Sequence, residues 1–282
     1  MELSQPGAGI YVPDGTDVAD ALSRTTHLGI GAHQDDLEIM AYHGIVQCFG
    51  VDDKWFTGIT CTNGGGAPRD ALYADYTDEM MQVVRRKEQD KAANLGEFSA
   101  QVALDYPSSG IKNAAETDVV EDLKNLISAT TPQVIYTHNL ADKHDTHVGV
   151  VLRVITALRE LPGGARPEQL IACEVWRDLD WLRDEDKVTM DVAAHDNLAS
   201  ALMALYDSQV CGGKRYDLAA MGRRRANATF FASHGVDDTE AMIYGMDLMP
   251  LLADASKCPL EYVKEYMDRF YAEVADRVGK LS

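Results

Sequence analysis

Residues 27–39 read HLGIGAHQDDLEI. A short apolar run of strand character passes directly into His33, Gln34, Asp35 and Asp36, after which apolar residues return at helical spacing. The segment therefore predicts a strand, a polar turn and a helix, with an imidazole and two carboxylates delivered to the strand's C-terminal end. In open parallel sheets that edge is where ligands bind, because loops and helix N-termini converge there.

A second stretch follows the same plan. Residues 132–151, PQVIYTHNLADKHDTHVGVV, run from an apolar strand through a polar loop with His138, Asp142, His144, Asp145 and His147 into an apolar helix. Working outward, strands are predicted near 27–32, 55–61, 101–104, 133–137 and 170–175, and helices near 37–48, 78–95, 118–128 and 148–160. Such alternation is the signature of βαβ units. The expected fold class is α/β, a Rossmann-like, mostly parallel sheet flanked by helices, with a helical C-terminal part. LPGGARP at 161–167 carries the Gly and Pro that end a helix and turn the chain, so it reads as a connection and not as a domain linker. Residues 1–282 are thus expected to form one α/β domain, with a core at about 25–182 and a mainly helical extension at about 183–282. In that extension Val263, Tyr266, Met267, Phe270, Val274 and Val278 recur on one helix face, and the expectation is that they pack.

The two polar clusters suit a catalytic metal. Catalytic zinc takes three protein ligands, commonly His with a carboxylate, and keeps a fourth position for water. His33, Asp36 and His147 fit that count. Adjacent side chains in a tight turn diverge, so Asp35 can face the water as general base while Asp36 ligates. His144, three residues before His147, would lie on the same side of a first helical turn and could hydrogen-bond a developing oxyanion. The bland alternative is that Asp35 and Asp36 cap a helix and the histidines are solvated. Two clusters at matching strand ends favour the metal site. His27, His43, His195 and His234 stand apart from acidic or His partners and are read as structural; His138 stays open.

Composition narrows the function further. With a formal charge of −19 and 26 basic against 45 acidic residues, the chain is not a nucleic-acid binder. No apolar run is long enough for a bilayer span, and the start lacks a signal-peptide pattern, so a cytoplasmic protein is expected. Five scattered cysteines, without a CxxC pair, read as buried, reduced fillers. Gly64–Gly66 is read as a flexible rim of the site, since no phosphate-binding glycine motif follows the first strand. Arg223–Arg225 is read as a solvated helix face paired with acidic neighbours.

With its AHQDDLE (32–38) and HDTH (144–147) segments, the chain resembles the LmbE-like or PIG-L family of zinc-dependent de-N-acetylases, whose signatures are AHPDDE and HPDH. CTNGGG (61–66) and RRKEQDKAANLG (85–96), with Arg85 and Glu88 in Arg-x-x-Glu spacing, extend the likeness over the first two-thirds. The resemblance implies zinc, or another divalent ion such as Fe²⁺, on His33, Asp36 and His147, with Asp35 as base, His144 as stabiliser of the tetrahedral intermediate and Arg85 as substrate contact. It implies hydrolysis of the acetamide of a small-molecule, N-acetylglucosamine-type amino sugar. Relatives often assemble, so a homo-oligomer is one expectation. Gln34 departs from the family's proline, Leu37 from its glutamate, Asp145–Thr146 from its Pro–Asp, and Pro107–Gly110 reads PSSG where PDG is frequent, leaving Asp105 as the nearest acid. A nucleotide-dependent oxidoreductase is opposed by acid where a pyrophosphate needs bare amides. An amidase acting on a non-sugar amide and a metal-stabilised sugar-binding protein are the remaining alternatives.

Overall fold

Five apolar segments become the parallel heart of a sheet: β2 (His27–Gly31), β3 (Phe56–Thr62), β4 (Ala100–Tyr106), β5 (Val134–His138) and β6 (Gln169–Cys173). They are hydrogen-bonded in the order β4-β3-β2-β5-β6. The computed structural model describes residues 1–162 and 166–282. Every residue of β2 and β3 is buried, which is why both read as continuous apolar or small-residue runs and not as alternation. The chain steps outward from β2 to β3 to β4, then crosses back to lay β5 against the other side of β2. The crevice above β2 and β5 is therefore the topological switch point.

Two apolar layers hold the sheet. Ile30, Ile59, Val102 and Ile135 point to the face covered by α1 (Val18–Ser23), α6 (Asp118–Thr130) and α7 (Asp145–Glu160). Phe56, Tyr136 and Ile171 point to the other, against α2 (Asp36–Met40), α3 (Tyr42–Cys48), α4 (Asp78–Leu95) and α8 (Asp196–Ala204). Each such side chain contributes roughly 1.5–3 kcal/mol when fully buried. The single helix expected over 37–48 is two, because the backbone leaves helical geometry at Ala41.

The sheet is larger than the sequence suggests. β1 (Gly9–Tyr11) adds an antiparallel edge on β4. Beyond α5 (Ser108–Lys112) and β6, the C-terminal part supplies β7 (Val188–Asp191) and β8 (Met242–Asp247), with β8 antiparallel on β6 and β7 on β8. The remainder is helical: α9 (Asp207–Val210), α10 (Tyr216–Phe230), α11 (Met249–Ala253) and α12 (Pro259–Leu281). Both added strands are short, and Gly245 weakens the pattern of β8; a Cβ there would come 2.5 Å from Ile171, so close strand packing demands the glycine.

Three expectations need correction. On α12 only the first part of the apolar stripe packs: Val263 and Tyr266 are buried, whereas Met267, Phe270, Val274 and Val278 are exposed on turns that run past the body. Cys48, Cys61 and Cys173 are buried, but Cys211 and Cys258 lie exposed at helix ends. In the arginine triplet Arg225 pairs with Asp196 at 3.1 Å as expected. Arg224 instead is buried, over the Tyr42 ring at 4.6 Å, with Nη2 donating to the Glu38 carbonyl at 2.6 Å. The connection at 161–167 falls in part on residues 163–165, outside the described residues. Among the described residues no helix is long and apolar enough to cross a membrane.

Candidate active site

Parallel pairing of β2 with β5 brings the two polar clusters together above the switch point. Asp35, the residue just before α2, lies in the left-handed region at φ 96°, a costly conformation for a non-glycine residue that is typical of functional turns. Its side chain makes no helix-cap bond, which removes the capping explanation for this residue. Asp36 points back instead: its Oδ2 accepts the His33 backbone N–H at 2.6 Å.

That carboxylate oxygen meets three imidazoles, with His138 Nε2 at 3.4 Å, and two of the three form a triangle with it. His33 Nδ1 lies 3.3 Å and His147 Nε2 3.4 Å from Asp36 Oδ2, and the two ring nitrogens are 3.2 Å apart. An ion with tetrahedral bonds of about 2.0–2.1 Å holds its ligand atoms roughly 3.3 Å from one another, so this near-equilateral triangle has the edge length a zinc-sized cation requires. The donor set matches as well. His147 Nδ1 faces the Asp142 carboxylate at 3.6 Å, the arrangement that places the ring proton on Nδ1 and turns the Nε2 lone pair to the site. Asp142 is held for this purpose by the backbone N–H groups of His144 and Trp176, at 2.9 and 3.1 Å. Burial in the cavity wall lowers His33 below its usual range, keeping it a neutral donor. Burial opposes ionisation of Asp36, but His147 and His138 outweigh it and hold the carboxyl well below the usual carboxylate range.

The residue left open in the sequence, His138, is fully buried, stacks on His147 with ring centroids 3.9 Å apart, and accepts the Ala32 N–H on Nε2 at 2.9 Å. Its lone pair is thereby used, so it supports the cluster without joining the triangle. His144 stacks on the opposite side of His147, centroids 4.6 Å apart. Its Nδ1 accepts the Thr146 N–H at 3.3 Å, so the neutral ring carries its proton on Nε2. Burial pushes its pKa down to about 4, so that neutral form is the one present near pH 7.

Asp35 is buried, and its Oδ2 has no hydrogen-bond partner. Burial raises its pKa well above the usual carboxylate range; Arg85 Nη2, 3.5 Å away, partly offsets this, while Asp36 and Glu38 add to it. Arg85 is itself buried and is aimed by Gln34, whose Oε1 accepts from Arg85 Nε at 3.1 Å and whose Nε2 donates to the Thr62 carbonyl at 3.0 Å. Gln34 thus does something a proline could not. Gly64 next to it has φ 74°, and a Cβ there would lie 2.2 Å from Gln34 Oε1. The glycine is required by that close approach, so the residue at the rim is more constrained than a flexible loop. Glu88 serves packing: its carboxylate accepts from Ser208 N and Oγ at 2.8 and 2.6 Å, tying α4 to α9.

These groups open into a cavity of about 700 Å³, a size typical of small-molecule sites. His33, Asp35, Asp36, Arg85 and His144 line it; fully buried His147 supports it from behind. Sequence reasoning did not identify Trp176 and Tyr216 in its wall, or the anchoring role of Asp142. The only advance signal for Asp142 was an acid in the same loop as two histidines.

Residues 28–158 match the family model described as PIG-L, GlcNAc-PI de-N-acetylase. This segment is therefore similar to the PIG-L family. No curated protein matches the sequence as a relative. Among solved structures, the fold is similar to GalB, the 4-carboxy-2-hydroxymuconate hydratase of Pseudomonas putida, at 15% identity and a TM-score of 0.60 over 79% of this chain and 96% of that one. It is also similar to N,N′-diacetylchitobiose deacetylase of Pyrococcus horikoshii, at 14% identity and a TM-score of 0.57 over 78% and 83% of the two chains. A deacetylase from the biosynthetic pathway of teicoplanin matches at 14% identity and a TM-score of 0.57 over 79% and 98%. The shared fold includes the α/β sheet and flanking helices around the matched segment.

Proposed function

We propose that the protein is a zinc-dependent hydrolase that removes the acetyl group from an N-acetylated amino sugar or its conjugate. The observation that carries this reading is the triangle of His33 Nδ1, Asp36 Oδ2 and His147 Nε2, with sides of 3.2–3.4 Å, beside a buried carboxylate oxygen without a partner. The PIG-L match and the deacetylases among the similar folds support the reaction class. His33, Asp36 and His147 would hold the ion. Zn²⁺ bound there supplies Lewis acidity toward the acetamide oxygen and acidifies a water.

The chain's own groups then divide the proton work. Asp35 Oδ2 accepts the proton of the attacking water as its oxygen bonds to the acetamide carbon. The His144 Nε2–H donates a hydrogen bond to the oxygen on which negative charge builds. When the C–N bond breaks, the proton held by Asp35 passes to the departing nitrogen, giving acetate and a free amine. Arg85, fixed by Gln34, tempers the charge of Asp35 and presents its guanidinium at the cavity wall for substrate. Incubating zinc-loaded protein with a panel of N-acetylated amino sugars and non-sugar acetamides tests the reading. Acetate and primary amine should appear in equal amounts from the sugars; binding without release, or release from the non-sugar amides alone, would overturn it.

A further inference from the structure

The cavity wall has a charge balance opposite to that of the chain. Its basic residues are Arg85, Lys112, Lys214, Arg215 and Arg223, and its only acids are Asp35 and Asp36. Arg85 is matched by Asp35, and Arg215 by Asp217 at 2.8 Å. Among the described residues Lys112, Lys214 and Arg223 form no ion pair. In a chain with 45 acidic against 26 basic residues, a cavity wall with five basic side chains and two acids gathers positive charge in one place.

Their place is also specific. Trp176 borders His144, ring centroids 6.3 Å apart, and Lys214 Nζ sits 5.1 Å from the Trp176 ring centroid. Arg223 approaches the same wall from α10, anchored by donation to the Val175 carbonyl. Tyr216 meets Trp176 edge-on at 5.9 Å. A substrate with its acetamide at His33 and His144 would pass along the Trp176 face before reaching these cations.

We propose that the substrate carries an anionic group, a carboxylate or a phosphate, on the part remote from the acetamide, and that Lys214 and Arg223, with Lys112 also in the wall, receive it. The inference rests on the proposed deacetylation for the placement of the acetamide but not for the anion site itself. Charge-assisted contacts of this kind are the strong ones, and in a partly enclosed cavity salt screens them less than on open surface.

Binding separates the two claims. Isothermal titration of zinc-loaded protein with glucosamine, glucosamine 6-phosphate and a glucosamine carrying a carboxylate, each at low and high salt, reads the anion site without requiring turnover. At least one anionic ligand should bind roughly tenfold or more tighter than glucosamine, with the preference shrinking at high salt and falling by a similar factor in K214Q/R223Q. Which anion wins distinguishes phosphate from carboxylate. Circular dichroism confirms that the variant is folded, and the single substitutions serve if the double one is not. Equal affinity for charged and neutral ligands, no binding by any of them, or an undiminished preference in the variant overturns the anion site. The matched N-acetyl compounds, assayed in parallel for amine release, test deacetylation alone: cleavage without charge preference refutes only the anion site, and charge preference without cleavage refutes only the deacetylase reading.

Discussion

Replacing Asp35 with asparagine isolates the proton-transfer role. The left-handed backbone at φ 96° tolerates asparagine better than almost any other non-glycine residue, so the turn that carries the site survives. None of the three metal-facing atoms belongs to Asp35. Losing the negative charge removes the partner of Arg85, 3.5 Å away, but also removes a buried carboxylate whose ionisation burial disfavours, and these effects oppose each other. Stability should therefore change little, while the general base is gone; such a base typically contributes about 10²–10⁴ in rate, or roughly 3–5 kcal/mol of barrier. Asp35→Ala should lose as much activity and in addition about 1–2 kcal/mol of stability, because a Cβ without a hydrogen-bonding side chain is strained at this φ. Steady-state amine release, zinc content and thermal unfolding on wild type and both variants provide the comparison. Asp35→Asn with near-normal turnover at full metal content would refute the reasoning and pass the role to His144 or Asp145.

Further outcomes follow from the same geometry. His144→Ala should keep its metal and lose roughly 10²–10³ in kcat, the usual cost of one oxyanion donor, as checked by turnover and metal analysis on a single preparation; metal loss would make His144 a ligand. Arg224→Ala, which abandons the Glu38 carbonyl and the Tyr42 ring, should cost roughly 2–4 kcal/mol in denaturant unfolding; a change under about 0.5 kcal/mol would contradict its structural role. Burial lowers His27 from 6.5 to about 4, so the folded state binds fewer protons than the unfolded one in that interval and stability is lost as pH falls through it, by on the order of 3 kcal/mol in all. His27→Asn should flatten that part of the stability–pH curve, and an unchanged slope between pH 6.5 and 4 would refute the assignment.

What could be read in the sequence was what local pattern encodes. The strand-to-turn passages at His33 and His147 are contiguous in the chain, so their residue types and the rule for parallel sheets suffice to bring them to one edge. The parallel strands were readable for the same reason: burial on both faces makes them continuous apolar runs. β7 and β8 were not, since four- and six-residue antiparallel strands among helices carry little periodicity. The exposed end of α12 shows the limit from the other direction, because an amphipathic pattern reveals a face but not what meets it. The same holds for Asp142, Trp176 and Arg223, whose positions in the site depend on tertiary placement. Arg224 misled for a physical reason: arginine is rarely buried, and only the convergence of two carbonyls and an aromatic ring makes it tolerable here.

The central claim is that His33, Asp36 and His147 together hold one catalytic divalent ion. Metal analysis of purified protein and of His33→Ala, Asp36→Ala and His147→Ala, paired with thermal unfolding to confirm that each variant is folded, tests it directly. The account predicts about one zinc or other divalent ion per wild-type chain, and loss of that ion in each folded variant. Full metal occupancy in all three variants would contradict it.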